Sequence, residues 1–97
     1  MRYEIVLATQ AVEDFRRLSA RDRSTIRDAL ERRLRYEPDK ETRSSIKRLR
    51  GVVHPQYRLR VGDFRVFYDV LEDAVEVLAI VAKAQADDWL KEIGGRP

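Results

Sequence analysis

The chain contains no cysteine in its 97 residues. A disulfide framework and a thiolate nucleophile are both excluded, and a reducing compartment is permitted. Histidine occurs once, at position 54. With scattered acids around it, one histidine makes no recognisable metal-ligand spacing, so no metal is expected. Glycine is sparse: Gly51, Gly62, Gly94 and Gly95 read as a loop position, a turn and a helix end, not as a loop that cradles phosphate. No nucleophile elbow or other Ser–His–Asp signature is present, and no cofactor is expected. No apolar run approaches the ~20 residues of a membrane-spanning helix, and the N-terminus lacks a signal-peptide pattern. The expectation is a cytoplasmic protein with no membrane partner. There is no internal repeat and no low-complexity tract, and the length suits one domain with one core, residues 1–97.

Charge, by contrast, is plentiful: 38% of residues are Asp, Glu, Lys or Arg, with a formal net charge of +3. Its distribution is more informative than its sum. From Arg43 to Arg65 there are seven bases against the single acid Asp63, a segment charge of +6. From Asp69 to Pro97 seven acids face three bases, giving −4. A basic segment of this kind favours a polyanionic partner for one surface.

The basic segment ends in QYRLRVGDFRVFYDV, residues Gln56 to Val70. Two runs of alternating side chains flank Gly62-Asp63, a pair suited to closing a two-residue β-hairpin. With that pair as the loop, Val61 faces Phe64, Arg60 faces Arg65, Leu59 faces Val66, Arg58 faces Phe67 and Tyr57 faces Tyr68. Alternation then sorts the hairpin onto two faces. Tyr57, Leu59, Val61, Phe64, Val66 and Tyr68 make a core face. Arg58, Arg60 and Arg65 share the other with Phe67. Opposed like charges destabilise a sheet. Guanidiniums on rigid strands donate bidentately to phosphate, while a solvated basic strand lying over apolar neighbours is the plainer alternative.

Before the hairpin, Tyr3–Leu7 reads as a strand. Thr9 is placed to cap a helix with an apolar stripe of Ala11, Val12, Phe15 and Leu18. Ser19 to Asp22 has capping-box spacing and opens a second helix, which buries Ile26, Ala29, Leu30 and Leu34 and runs to about Tyr36 before Pro38 stops it. The helical arginines alternate with acids and read as a solvated face. Glu37–Pro55 is expected to be irregular, with Leu49 as anchor and Lys47, Arg48 and Arg50 pointing outward. Its length marks it as a functional loop. His54, beside Pro55, reads first as a loop residue, with a catalytic role as the alternative. After the hairpin, Val75–Ala82 is apolar on both sides except at Glu76, as a strand covered on both faces would be. Lys83 follows, and then a short helix from Ala86 to Ile93 in which Trp89 reads as a core anchor.

The YRLR-VGD-FRVFY hairpin, after two amphipathic helices and before an apolar strand, resembles the RelE/ParE superfamily of type II toxin–antitoxin toxins. The resemblance runs from Tyr3 to Trp89. It implies an α+β fold of order β-α-α-β-β-β-α, with a mainly antiparallel sheet covered on one face by the helical hairpin. It implies a cognate antitoxin as partner. For RelE-like members it implies a ribosome-dependent mRNA endoribonuclease, in which a ribose 2′-OH attacks the adjacent phosphate. Arg58 and Arg60 match the two basic positions of the family's first hairpin strand, Arg65 the arginine that opens the second, and Lys83 the basic residue after the last strand. These four are the candidate catalytic residues, and Lys47, Arg48, Arg50, Arg58, Arg60 and Arg65 the candidate nucleic-acid contacts. Two positions depart from the pattern: Ala84 stands where an arginine is usual, and Leu90, or Trp89 under a one-residue shift, where a tyrosine is usual. The hairpin's basic face also offers no carboxylate as a substitute general base. ParE-like members, which act on DNA gyrase without the ribonuclease set, define the alternative, as does a silent member that only binds its antitoxin.

Overall fold

The computed structural model describes residues 1–94. Its elements are β1 (Glu4–Leu7), α1 (Thr9–Arg17), α2 (Ala20–Leu34), β2 (Ile46–Arg48), β3 (Tyr57–Val61), β4 (Phe64–Val70), β5 (Ala74–Ala82), a 3₁₀ turn (Lys83–Gln85) and α3 (Ala86–Gly94). The five strands form one sheet in the order β1-β5-β4-β3-β2, parallel between β1 and β5 and antiparallel elsewhere. The α+β class, the mainly antiparallel sheet and the element order agree with the sequence reading. One strand is added: β2, three residues long, lies inside the segment expected to be irregular.

The hairpin has the expected register, from Val61 opposite Phe64 to Tyr57 opposite Tyr68. At its turn Gly62 takes a positive φ, 54°, as the first residue of a Gly-X hairpin loop does. The core face is as expected, with Leu59, Val66 and Tyr68 wholly buried. It packs against Ala11, Ile26, Ala29, Leu30 and Leu34 of the two helices. Tyr57 and Tyr68 stack with centroids 5.5 Å apart. The Tyr68 hydroxyl donates to the Pro38 carbonyl at 2.6 Å, which fixes the chain where α2 has ended. Burial pushes that phenol far above its ordinary pKa, because its charged form would be stranded away from water.

Helix ends follow local chemistry with one exception. The Ser19 hydroxyl accepts from Asp22 N–H at 3.1 Å and caps α2. Thr9 is not a cap: α1 begins at Thr9 itself, Ala8 precedes it, and no side chain closes that end. The turn from β1 is instead held by Ala8 N–H donating to Val77 O at 2.8 Å. Helix α2 stops at Leu34, two residues earlier than expected, and Arg35 turns back to β1. Its guanidinium chelates Glu31 and donates to Tyr3 O at 3.1 Å, while its carbonyl accepts from Tyr3 N–H at 2.7 Å.

Strand β5 outlasts β1, which pairs only with Ala74–Val77. Its next edge donor, Ile80 N–H, is satisfied by Asp14 of α1 at 2.9 Å. A register shift between Phe67 and Tyr68 lets β5 carry one extra residue against β4, as a β-bulge does. Among the described residues no helix is long and apolar enough to cross a membrane.

Candidate nucleic-acid interface

The sheet's second face is built in rows. Lys47, Arg58, Phe67 and Ala79 occupy one row across β2, β3, β4 and β5. Arg60, Arg65 and Val81 occupy the next, toward the hairpin turn. Four of the basic residues singled out in the sequence, Lys47, Arg58, Arg60 and Arg65, therefore share one face. Lys83 joins that end of the molecule, since its N–H donates to Asp63 O of the hairpin turn at 2.7 Å. Among the described residues, no carboxylate forms an ion pair with Arg58, Arg60, Arg65, Lys47 or Lys83.

These cations are not equivalent. Arg60 and Lys47 are exposed and Arg58 is half-buried, all within reach of a ligand. Arg65 is only 7% exposed, and its Nη1 donates to Gly62 O at 3.0 Å and Phe64 O at 2.8 Å. Its pKa is held below the ordinary arginine value, first by removal from water and then by Arg60 and Arg58, with Asp63 opposing. A guanidinium remains charged even so. Arg65 thus braces the turn and adds fixed positive potential beneath Arg60, and only part of its donor fork is free. Lys83 is exposed, without the burial that would fit a lysine for proton transfer.

Arg48 goes elsewhere. It lies opposite Tyr57 in the β2–β3 register, with its guanidinium 5.0 Å from the Tyr57 ring centroid and Nη1 3.1 Å from the Tyr57 hydroxyl. Tyr57 belongs to the core face, so Arg48 is separated from Arg58 by the sheet itself, contrary to its grouping in the sequence. The alternation that sorts β3 onto two faces holds equally in β2, but a strand of three residues leaves too short a pattern to read. Arg50 is exposed just beyond β2.

An open groove of about 380 Å³ borders this face at the β2 edge, lined among others by Arg43, Lys47, Arg58 and Arg60, with Glu41 at its rim. The loop that walls it is ordered by Thr42, whose hydroxyl accepts from Ser45 and Ile46 N–H at 3.0 Å each. Glu41 accepts from Arg48 N–H at 2.8 Å. On the other side α3 covers the middle of the face. Trp89 stacks on the wholly buried Phe67 at 4.8 Å between centroids, and its indole N–H donates to Gln10 at 3.3 Å. The anchor role read for Trp89 is the one it takes.

The sequence reading missed a carboxylate on this face. Asp69 lies two residues beyond Phe67 on β4, opposite Glu76 of β5, and is 6% exposed. His54 Nδ1 is 2.9 Å from its Oδ2. Counting alternate residues past Phe67 would have placed Asp69 on the face. Its contact with a loop fifteen residues earlier left no local signal.

These features match a known class. The family model of the ParE toxin of type II toxin–antitoxin systems (parDE) matches residues 5–87. The chain belongs to this RelE/ParE superfamily and is a type II toxin–antitoxin toxin. No curated protein matches the sequence. Among solved structures it is similar to an Escherichia coli RelE double mutant in the free state, with TM-score 0.71, 24% identity, and 96% of this chain and 95% of that one covered. It is also similar to a chain of the archaeal RelE–RelB complex of Pyrococcus horikoshii, with TM-score 0.64, 26% identity, and coverage of 88% and 99%. The RelB–RelE antitoxin–toxin complex of Methanococcus jannaschii gives TM-score 0.64, 21% identity, and coverage of 87% and 96%.

Proposed function

We propose that this toxin cleaves mRNA on the ribosome, and that Lys47, Arg58 and Arg60 hold the phosphate backbone while Arg65 supplies fixed positive charge. The observation that carries the reading is the register: three accessible cations and a buried fourth are brought onto one face, and among the described residues none of them is ion-paired with a carboxylate. Opposed like charges on neighbouring strands cost stability, and a phosphodiester placed among them would relieve that cost. As charge builds on the phosphorane, preorganised guanidiniums stabilise it without reorganising. Lys83, exposed at the turn end, adds charge rather than a proton relay.

The partner is an antitoxin, as in the RelB complexes that the fold resembles. An acidic, partly disordered segment that folds over the Arg43–Arg60 groove would neutralise the same surface. A second reading, inhibition of DNA gyrase in the ParE manner, is favoured by the family model that matches and by Ala84 and Leu90 at positions where RelE-like enzymes carry reactive side chains.

Single-turnover cleavage on programmed ribosomes separates the two, run beside a gyrase supercoiling assay. The expected result is 5′ ends mapped within the ribosome-bound message and unimpaired supercoiling. Intact message with supercoiling blocked would replace the ribonuclease reading by the gyrase one.

A further inference from the structure

One row beyond Arg58, the second sheet face carries a histidine–aspartate pair that the arginine chemistry does not use. Asp69 is buried with both oxygens engaged: Oδ1 accepts from Gln56 N–H at 2.8 Å, and Oδ2 lies 2.9 Å from His54 Nδ1. Gln56 closes the support, its Oε1 accepting from Val70 N–H at 2.9 Å. An ionised carboxylate can only accept, so a neutral His54 carries its proton on Nδ1 and keeps the lone pair on Nε2. The imidazole side chain is 62% exposed and accessible to a ligand, whereas the Asp69 side chain is 8% exposed. Successive same-face rows along a strand are about 7 Å apart, a spacing comparable with one nucleotide.

We infer that His54 is the proton acceptor in RNA cleavage, with Asp69 as its positioning residue and Arg58 on the same phosphodiester. The inference rests on the ribonuclease reading and supplies what that reading lacks. A guanidinium does not give up its proton, Lys83 is unburied, and Leu90 and Trp89 offer no hydroxyl. In the step proposed, the 2′-oxygen forms a bond to the adjacent phosphorus as its proton passes to His54 Nε2. The P–O5′ bond breaks, and the 5′-oxygen leaves with its electron pair and takes a proton from water. The upstream fragment ends in a 2′,3′-cyclic phosphate, and His54 returns its proton to solvent. The charged groups on the sheet around the imidazole are Asp69 of β4, Glu76 opposite it on β5, Arg58 of β3 and Lys47 of β2.

The test is single-turnover cleavage on programmed ribosomes with the full chain. His54→Ala should slow cleavage by about 100-fold, the lower range of general-base catalysis, with ribosome binding unchanged. Added imidazole should restore part of the lost rate. The wild-type rate should rise with pH as the imidazole loses its proton, and the variant should lack that limb. Asp69→Asn can still accept from Gln56 N–H but turns an N–H toward His54, which reverses the tautomer. It should slow cleavage while leaving the His54→Ala rate unaffected in the double variant. Wild-type cleavage by His54→Ala, or a defect that imidazole does not relieve and a pH limb that persists, overturns this inference and leaves the ribonuclease reading standing. A wild-type protein that cuts no ribosome-bound message overturns both.

Discussion

At the scale of single residues, neighbours on one strand have opposite duties. Leu59 is wholly buried among Val66, Ile46 and the α2 side chains, while Arg60, the next residue, is exposed. Leu59→Ala should cost about 2–5 kcal/mol through lost burial and the cavity left behind. Arg60→Ala should leave stability equal or slightly raised, because it removes one of two opposed cations. Thermal melts of the two variants measure the contrast, and an Arg60→Ala protein less stable than Leu59→Ala would reverse the face assignment. Arg65 does not behave like Arg60 although the two are paired. Its bonds to the Gly62 and Phe64 carbonyls mean that Arg65→Ala should lower stability by about 1–3 kcal/mol. The cleavage rate should fall in the same variant. Arg65→Lys should recover the charge but not both carbonyl bonds, since an ammonium lacks the planar fork. Denaturant melts alongside cleavage rates check this, and full stability in Arg65→Ala would mean that the turn does not depend on it.

At the scale of elements, strand edges decide what must be covered. Where β1 ends at Leu7, β5 continues for five residues past Val77. Asp14 reaches from α1 to satisfy Ile80 N–H there. Asp14→Ala leaves a part-buried donor unpaired and should cost about 1–3 kcal/mol. Amide hydrogen exchange at Ile80 should quicken in that variant, and unchanged exchange would show that the carboxylate is dispensable. This contact spans 66 residues in sequence, and no local pattern announces it. The hairpin is the opposite case. Alternation and the Gly62-Asp63 pair give its register, its faces and its core residues from fifteen consecutive letters, because strand pairing across a two-residue loop is a local matter. The buried positions of α2 are legible for the same reason. What escapes is what depends on distant partners: the three-residue β2, the side of the sheet to which Arg48 turns, the coverage of Phe67 by Trp89, and the pairing of His54 with Asp69. The candidate site divides the same way. Its arginines could be read from the hairpin, whereas the side of the sheet taken by Lys47 and the His54–Asp69 contact required β2 and the loop of residues 49–56 to be folded against the hairpin.

At the scale of the whole molecule, charge is laid out along the second face of the sheet. Lys47, Arg58, Arg60 and Arg65 occupy β2 to β4 toward the hairpin turn, and Asp69, Glu76 and Glu4 occupy rows toward the other end and the β1 edge. A single-stranded RNA should therefore be drawn to the basic end, with the acidic end repelling a second binding mode. Three accessible cations there, Lys47, Arg58 and Arg60, with Arg43 across the groove, correspond to roughly three or four phosphate contacts. Each contact releases condensed counterions, so log affinity should fall with log salt at a slope of about −0.7 per contact, or roughly −2 to −3 in all. Lys47→Ala should make the slope shallower by about 0.7 and weaken binding similarly for every sequence, because a phosphate contact carries no base information. Arg48→Ala should leave the slope unchanged, since its guanidinium lies over Tyr57 on the opposite face. Fluorescence anisotropy of a labelled RNA titrated at several salt concentrations reads all three slopes. If Arg48→Ala shifts the slope as much as Lys47→Ala does, the RNA is not confined to the second face, and strand register does not decide which cations it meets.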